Sequence, residues 1–236
     1  MRKQLLLLCP LLLVATTVWG APACVNESLA AYESLASGCA ISGVTFSMFN
    51  YSSSGSQTPL PSASDVQVDV ISGSNPGLEF IGPFGAGAGL SMDALIGFTI
   101  SGTAITGEAL SMQGFGQSGN GSVQVAESFC EGTLTSGNCS GPTGSLNVFD
   151  NSSGIKASDS TTFAAVSSVE VTKNIIVQGG TTGTLSSAGV SAVINTVPGG
   201  GGGPGGGPVP EPDSLITLGS GLVITALLLR SRLRKA

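Results

Sequence analysis

The sequence predicts an all-β protein: an antiparallel two-sheet β-sandwich of jelly-roll-like form, with a short N-terminal helix and a C-terminal anchor helix. Three observations predict it. About ten short runs rich in Val, Ile, Phe and Thr recur along the chain, separated by Gly, Ser, Asn and Pro clusters at intervals of roughly 8–15 residues, the rhythm of a sandwich or barrel. One run alternates cleanly: Val66, Val68 and Val70 against Asp65, Gln67 and Asp69, the period of two that marks a half-buried strand. Outside the two ends, helical character is confined to 26–37, where Leu29, Ala30, Tyr32, Glu33 and Leu35 precede Ser37-Gly38.

The candidate strands in order are 43–51, 65–70, 78–81, 95–101, 105–112, 123–129, 146–149, 161–166, 169–177 and 190–197. The first carries Val44, Phe46, Met48 and Phe49. Ser, Thr and Gly fill the outward positions, giving a small, uncharged surface suited to an extracellular domain.

The ends have a different grammar. Arg2 and Lys3 form a positive n-region, 5–18 forms an apolar h-region, and Ala21-Pro22-Ala23 is an A-x-A-like site. This is the layout of a secretory signal, with cleavage expected just before Cys24. The alternatives are an uncleaved anchor and a lipoprotein with lipid on Cys24. The apolar run is short for a span, and Pro22 fits a lipid-attachment box badly. The expected divisions are therefore a signal peptide at 1–23, a β domain at 24–197, a linker at 198–208 and a C-terminal signal at 209–236. The linker, PGGGGGPGGGP, is a flexible coil of roughly 17–20 Å root-mean-square reach. No Gly-Lys-Ser/Thr follows its glycines, so it is not a phosphate-binding loop.

After the linker come Val209, Pro210, Glu211 and Pro212, an apolar run at 215–229, and the basic residues Arg230, Arg232, Arg234 and Lys235. A helix over the apolar run would be about 22 Å long, short against a hydrocarbon core of about 30 Å. The cations are expected to stay on the cytoplasmic side, leaving the β domain outside the inner membrane. This order resembles the PEP-CTERM sorting signal of Gram-negative bacteria. The resemblance covers about an eighth of the chain. It implies processing by an exosortase, a membrane cysteine enzyme, with the precursor held in the inner membrane through 215–229. Delivery to the cell surface or extracellular matrix is implied with it.

Charge and cysteine content narrow the function. Between the two terminal segments lie twelve acidic residues and only two basic ones, Lys156 and Lys173. That balance excludes nucleic acid as an expected partner, since phosphate binding needs clustered cations. Four cysteines remain beyond the signal, and an even number in an exported chain predicts two disulfides. The local pairing Cys24–Cys39 and Cys130–Cys139 is expected, each pair bracketing a Gly-containing loop. Thiolate metal ligation is disfavoured by the absence of C-x-x-C spacing, and no metal or other cofactor is expected.

The chain contains no histidine, which removes Ser-His-Asp and Cys-His catalysis and histidine-bound metals. Ser153 and Lys156 match S-x-x-K, but Gly154 opposes the helix that would aim the lysine at the serine, and the companion motifs are missing; a solvated loop is expected. Asp65 with Asp69, and Glu127 with Glu131, have the even spacing that would put carboxylate pairs on one strand face for glycoside hydrolysis. Their neighbours are ordinary strand and turn residues, and solvated faces are expected. No D-x-D-x-D-G loop supports calcium. Five N-x-S/T sequons, among them Asn50-Tyr51-Ser52, follow from the Ser/Thr content. The expected function is a non-enzymatic exported surface or matrix protein. The alternatives are a carbohydrate-binding or adhesive module contacting exopolysaccharide, and a matrix glycoside hydrolase using paired carboxylates.

Overall fold

The computed structural model describes residues 21–181 and 187–198. Residues 1–20 of the expected signal peptide, the sorting-motif and basic-tail residues, and most of the linker lie outside the described residues. Within them the chain is antiparallel β almost throughout. The elements are β1 (Glu27–Ser28), α1 (Leu29–Glu33), β2 (Cys39–Ile41), β3 (Val44–Gly55), a 3-10 turn (Ala63–Asp65), β4 (Gln67–Ile71), β5 (Gly77–Ala86), β6 (Ser91–Gln113), β7 (Gly116–Ser118) and β8 (Ser122–Cys130). They continue with β9 (Leu134–Thr135), β10 (Asn138–Cys139), β11 (Thr143–Asn151), β12 (Gly154–Lys156), β13 (Ser158–Gln178) and β14 (Ser187–Thr196).

The expectation of two separate sheets is refined. One hydrogen-bonded sheet of twelve strands folds over on itself, and β9 and β10 form a small ribbon beside it. The fold-over is built into β6 and β13, which the sequence suggested were two strands each. The first half of β6 pairs with β3 and with the second half of β13. Its second half pairs with β14 and with the first half of β13. Register breaks at Thr162/Val166 and Val166/Ser168 let the pair bend from one layer to the other without a turn, as bulged strands do at sandwich corners. One layer thus holds β3, β8, β11 and the halves Met92–Ser101 and Ser168–Val177 of the long strands; the other holds β4, β5, β14 and their remaining halves.

The layers close over an apolar core. Phe80 of β5 meets Phe98 of β6 across the interior at 5.7 Å between ring centroids, and Phe49 stacks on Phe98 at 5.8 Å. Each such side chain, fully buried, contributes about 1.5–3 kcal/mol. The alternation in 65–70 is present: Val66 and Val68 are sealed, Gln67 is exposed and Asp69 and Val70 are half-buried. Asp65 belongs to the 3-10 turn that precedes the strand.

The predicted helix is shorter than the helical run, spanning Leu29–Glu33 behind a Ser28 cap whose Oγ accepts from Ala31 N at 3.3 Å. Tyr32 packs edge-on to Phe49 at 5.0 Å, and its hydroxyl donates to Val25 O at 2.8 Å. Gly38 ends this segment with φ +68°, and a Cβ there would collide with the Phe46 carbonyl. Met48 departs from its expected strand role: it sits at the β3 bulge with φ +58° and is exposed. Among the described residues no helix is long and apolar enough to cross a membrane.

Candidate functional site, a polar cluster sealed between the layers

Period two places four polar side chains on the apolar faces of their strands. In β8, Glu127 falls in line with Val123, Val125 and Phe129; in β13, Lys173 falls in line with Val169, Val171, Ile175 and Val177. These two are direct partners in the β8–β13 ladder. From the opposite layer come Glu108 of β6 and Asn195 of β14. None of the four is more than 1% exposed.

The cluster is tightly joined. Lys173 Nζ donates to Glu127 Oε2. Asn195 Nδ2 donates to Glu127 Oε2 at 3.1 Å, to Glu127 Oε1 at 3.3 Å and to Glu108 Oε2 at 3.1 Å. The Lys173 ammonium also lies 5.4 Å from the centroid of the Phe98 ring, within cation–π range. Two buried acceptors have no hydrogen-bond partner, Glu108 Oε1 and Asn195 Oδ1.

Burial, and then the neighbouring Glu127 carboxylate, push Glu108 well above its ordinary carboxylate value; Lys173 and the Asn195 hydrogen bond pull the other way and are outweighed. The neutral form resolves the charge count: one ammonium, one carboxylate and one carboxylic acid sum to zero, the composition a dry interior favours. An ammonium, a carboxylate, a carboxylic acid and an amide thus share a space that solvent does not enter. An external substrate has no access to it.

This overturns the expectation of a solvated Glu127–Glu131 face. Glu127 is inside because it shares the register of three apolar residues. Glu131 lies past the end of β8, half-exposed in the following turn, so the two are not brought together. Asp65 accepts from Ser62 Oγ and Ser62 N at 2.6 and 2.8 Å, bonds that hold its carboxyl below the usual range. Asp69 faces Glu79 across the β4–β5 ladder. Ser153 occupies the β11–β12 turn, where its N–H donates to Asn151 Oδ1 at 2.8 Å, while Lys156 ends the exposed strand β12 and pairs with Asp159 at 2.8 Å: the segment is solvated as expected, but it is a hairpin where the sequence indicated a loop. Both expected disulfides form, Cys24–Cys39 and Cys130–Cys139. Among the described residues no group of three or more His, Cys, Asp or Glu side chains is placed to hold a metal.

Two hollows open on the surface. One, about 600 Å³, is walled by Gly82, Gly85, Gly114, Gly116 and Gly189 around the half-buried ring of Phe115, with Ser191 at its edge. The other, about 400 Å³, lies beside the Cys130 bridge and is lined by Leu134, Thr143 and Glu170. Glu170 there accepts from Leu134 N at 2.8 Å, tying the β9–β10 ribbon to β13.

No protein-family model matches the chain, and no curated protein matches it. Among solved structures it is similar to the carbohydrate-binding module TmCBM61, solved with β-1,4-galactotriose, at 11% identity and a TM-score of 0.29, over 61% of this chain and 86% of that one. It is also similar to the enzymatically active domain of tailspike protein 4 of bacteriophage CBA120, at 11% identity and a TM-score of 0.28, over 63% of this chain and 19% of that one. Neither likeness brings a ligand or an activity to this chain.

Proposed function

We propose that this chain is an exported, non-enzymatic surface or extracellular-matrix protein. Its jelly-roll-like sandwich is the working body, the glycine linker its tether, and 209–236 its sorting signal for an exosortase. The observation that carries the reading is the closure of both cysteine pairs as disulfides, which supports an oxidising compartment, since such bonds persist there. The remaining chemistry-bearing groups fit the same reading. Those that meet, Glu108, Glu127 and Lys173, are sealed inside, so they serve the body of the protein and no diffusing substrate.

Intact-mass measurement of protein recovered from outside the producing cell tests it. The expected species lacks the N-terminal signal and ends near Pro210 to Pro212. A full-length C-terminus in that material would refute the sorting claim.

A second reading has its own observation. The hollow around Phe115 combines one half-buried ring with glycine walls, and sugars pack on such surfaces through their apolar C–H faces. Contact with exopolysaccharide would place the polymer there. A pull-down with the native matrix polymer, comparing the natural chain with Phe115→Ala, decides it. Equal retention of the two forms excludes this hollow as the contact.

A further inference from the structure

The sealed cluster has a composition that hydrogen bonding alone does not require. A primary amine and a primary carboxamide come from different layers and rest on one oxygen, Glu127 Oε2. Two ordinary hydrogen bonds to one atom keep their nitrogens within about 6 Å. Both are immobilised on strands and shielded from water, and a second carboxyl, Glu108, touches the same carboxamide at 3.1 Å. Asn195 Oδ1 and Glu108 Oε1 are left without partners, in a site where every other polar atom is engaged. This is the arrangement of a reactant pair with its base.

We propose that Lys173 and Asn195 become joined by an intramolecular amide bond, formed autocatalytically once the layers close. The step balances as follows. The Lys173 ammonium gives one proton to Glu127 Oε2, along the contact that already exists. The free amine attacks Cγ of Asn195, while Glu108, in its neutral form, holds the carboxamide in place through its contact with Nδ2 at 3.1 Å. A second proton leaves the attacking nitrogen and passes by way of Glu127 to Nδ2. The Cγ–Nδ2 bond breaks and ammonia departs. Nothing is oxidised or reduced, no co-reactant is needed, and the cluster is neutral before and after. Fixed proximity replaces the encounter that makes amide exchange between free side chains negligible.

The consequence is mechanical. Lys173 is in the layer of β8, and Asn195 is in the layer of β5. The bond would clamp the two layers through the core, three residues before Pro198, where the described chain ends. A load applied through the C-terminal segment would then meet a covalent link just past the pairings of Thr196 and Val197, before it reached the rest of β14. The inference stands on the core geometry alone and holds whatever the sorting route.

The test uses the natural, folded chain. Its disulfides are reduced, its intact mass is compared with that of its sequence, and peptides are mapped after digestion with proteases that cut at Glu and at aromatic residues. The expected result is a loss of 17 Da, the mass of ammonia, with a branched peptide carrying both Lys173 and Asn195. The variants Lys173→Met and Glu127→Gln, each checked for native β content by circular dichroism, are expected to keep their full mass. An unchanged mass for the natural chain overturns the proposal. So does a 17 Da loss in an unbranched peptide, which is an asparagine succinimide, or an 18 Da loss joining Lys173 to Glu108 or Glu127. If Glu127→Gln is folded and still linked, the role given to Glu127 as base is overturned.

Discussion

Asn195 and Glu127 stand in opposite layers of the sandwich and are joined by hydrogen bonds of 3.1 and 3.3 Å in the sealed interior. This contact is where the two faces of the folded-over sheet are held in polar register. Apolar packing tolerates small slides between layers; a carboxylate bound to a carboxamide and an ammonium does not, because a slide leaves buried polar groups unpaired.

Removing one member of the cluster is therefore expected to be costly. Glu127→Ala takes the acceptor from Lys173 and from Asn195 together. An uncompensated buried charge costs about 3–5 kcal/mol, a large part of a typical domain's stability. Urea unfolding should show it as a lower midpoint. The double variant Glu127→Leu with Lys173→Met, which removes both charges, is expected to recover much of the loss. A double variant as unstable as Glu127→Ala would show that the pair contributes more than charge compensation.

Glu108 gives the cluster a pH signature. Its folded-state pKa lies above its ordinary value of 4.5, so the folded chain holds this proton more tightly than the unfolded chain. Between 4.5 and the raised folded value the folded state binds more protons, and stability falls as pH rises through that window. Glu108→Gln keeps a neutral side chain of the same size at every pH. It is expected to flatten that fall and to equal or exceed the natural chain's stability at neutral pH. Urea midpoints measured from about pH 4 to pH 8 decide it; parallel profiles for the two chains would mean that Glu108 is not the titrating group.

Much of this architecture was legible in the sequence, and what was not has identifiable causes. The disulfide pairs and the Val66–Val68 alternation depend on local spacing, which sequence displays directly. The long strands β6 and β13 looked like two strands each because Gly102-Thr103 and Ser167-Ser168 resemble turns. The chain instead passes those points extended, bending between layers on bulges that only pairing with a neighbour reveals. Glu127, read from the sequence as solvated, and Lys173, given no role there, are the informative exceptions. Each has even spacing with a row of valines, which already assigned it to the buried face. A charged residue on an apolar face suggests a partner, and the ladder supplies it. No pattern within β6 or β14 announces that Glu108 and Asn195 meet them, because that contact exists only after the sheet folds over.

The alternating strand makes a sharp comparison between adjacent positions. Val68 is fully buried opposite Phe80 in the β4–β5 ladder, while Gln67 is exposed. Val68→Asp places an unpaired carboxylate in the core and is expected to cost several kcal/mol. Gln67→Asp alters only a solvated face, with an effect within about 0.5 kcal/mol. Thermal melting of the two variants side by side checks this. Equal melting temperatures would overturn the assignment of this register.

The two disulfides should act on the unfolded chain. Loops with separations of 15 and 9 residues correspond to about 2.5–3 kcal/mol each in the chain-entropy model. Cys130→Ser with Cys139→Ser is expected to lower stability by that amount and to leave the buried cluster intact, since the bridge ties only the end of β8 to the outlying ribbon. Calorimetry of the variant, alongside a non-reducing peptide map of the natural chain, tests both statements. Free thiols at the four positions would refute the pairing.

The N-terminal boundary is the last point that geometry bears on. The expected cleavage before Cys24 would remove Pro22 and Ala23, yet both take part in the fold. Ala40 N donates to Pro22 O at 2.7 Å, Cys24 N donates to Ala40 O at 3.0 Å, and Ala23 pairs in parallel with Ala40. A chain starting at Cys24 would leave the Ala40 N–H without its acceptor, at about 1 kcal/mol for the lost bond. It would also put a charged amine beside the Cys24–Cys39 bridge. Cleavage between Gly20 and Ala21 keeps every one of these bonds, and Gly20 supplies the small residue a signal peptidase needs immediately before the cut. The mature chain is therefore expected to begin Ala21-Pro22-Ala23-Cys24. N-terminal sequencing of exported protein reads this directly, and a first residue of Cys24 would show that the protease cuts before the strand contact with Ala40 is made.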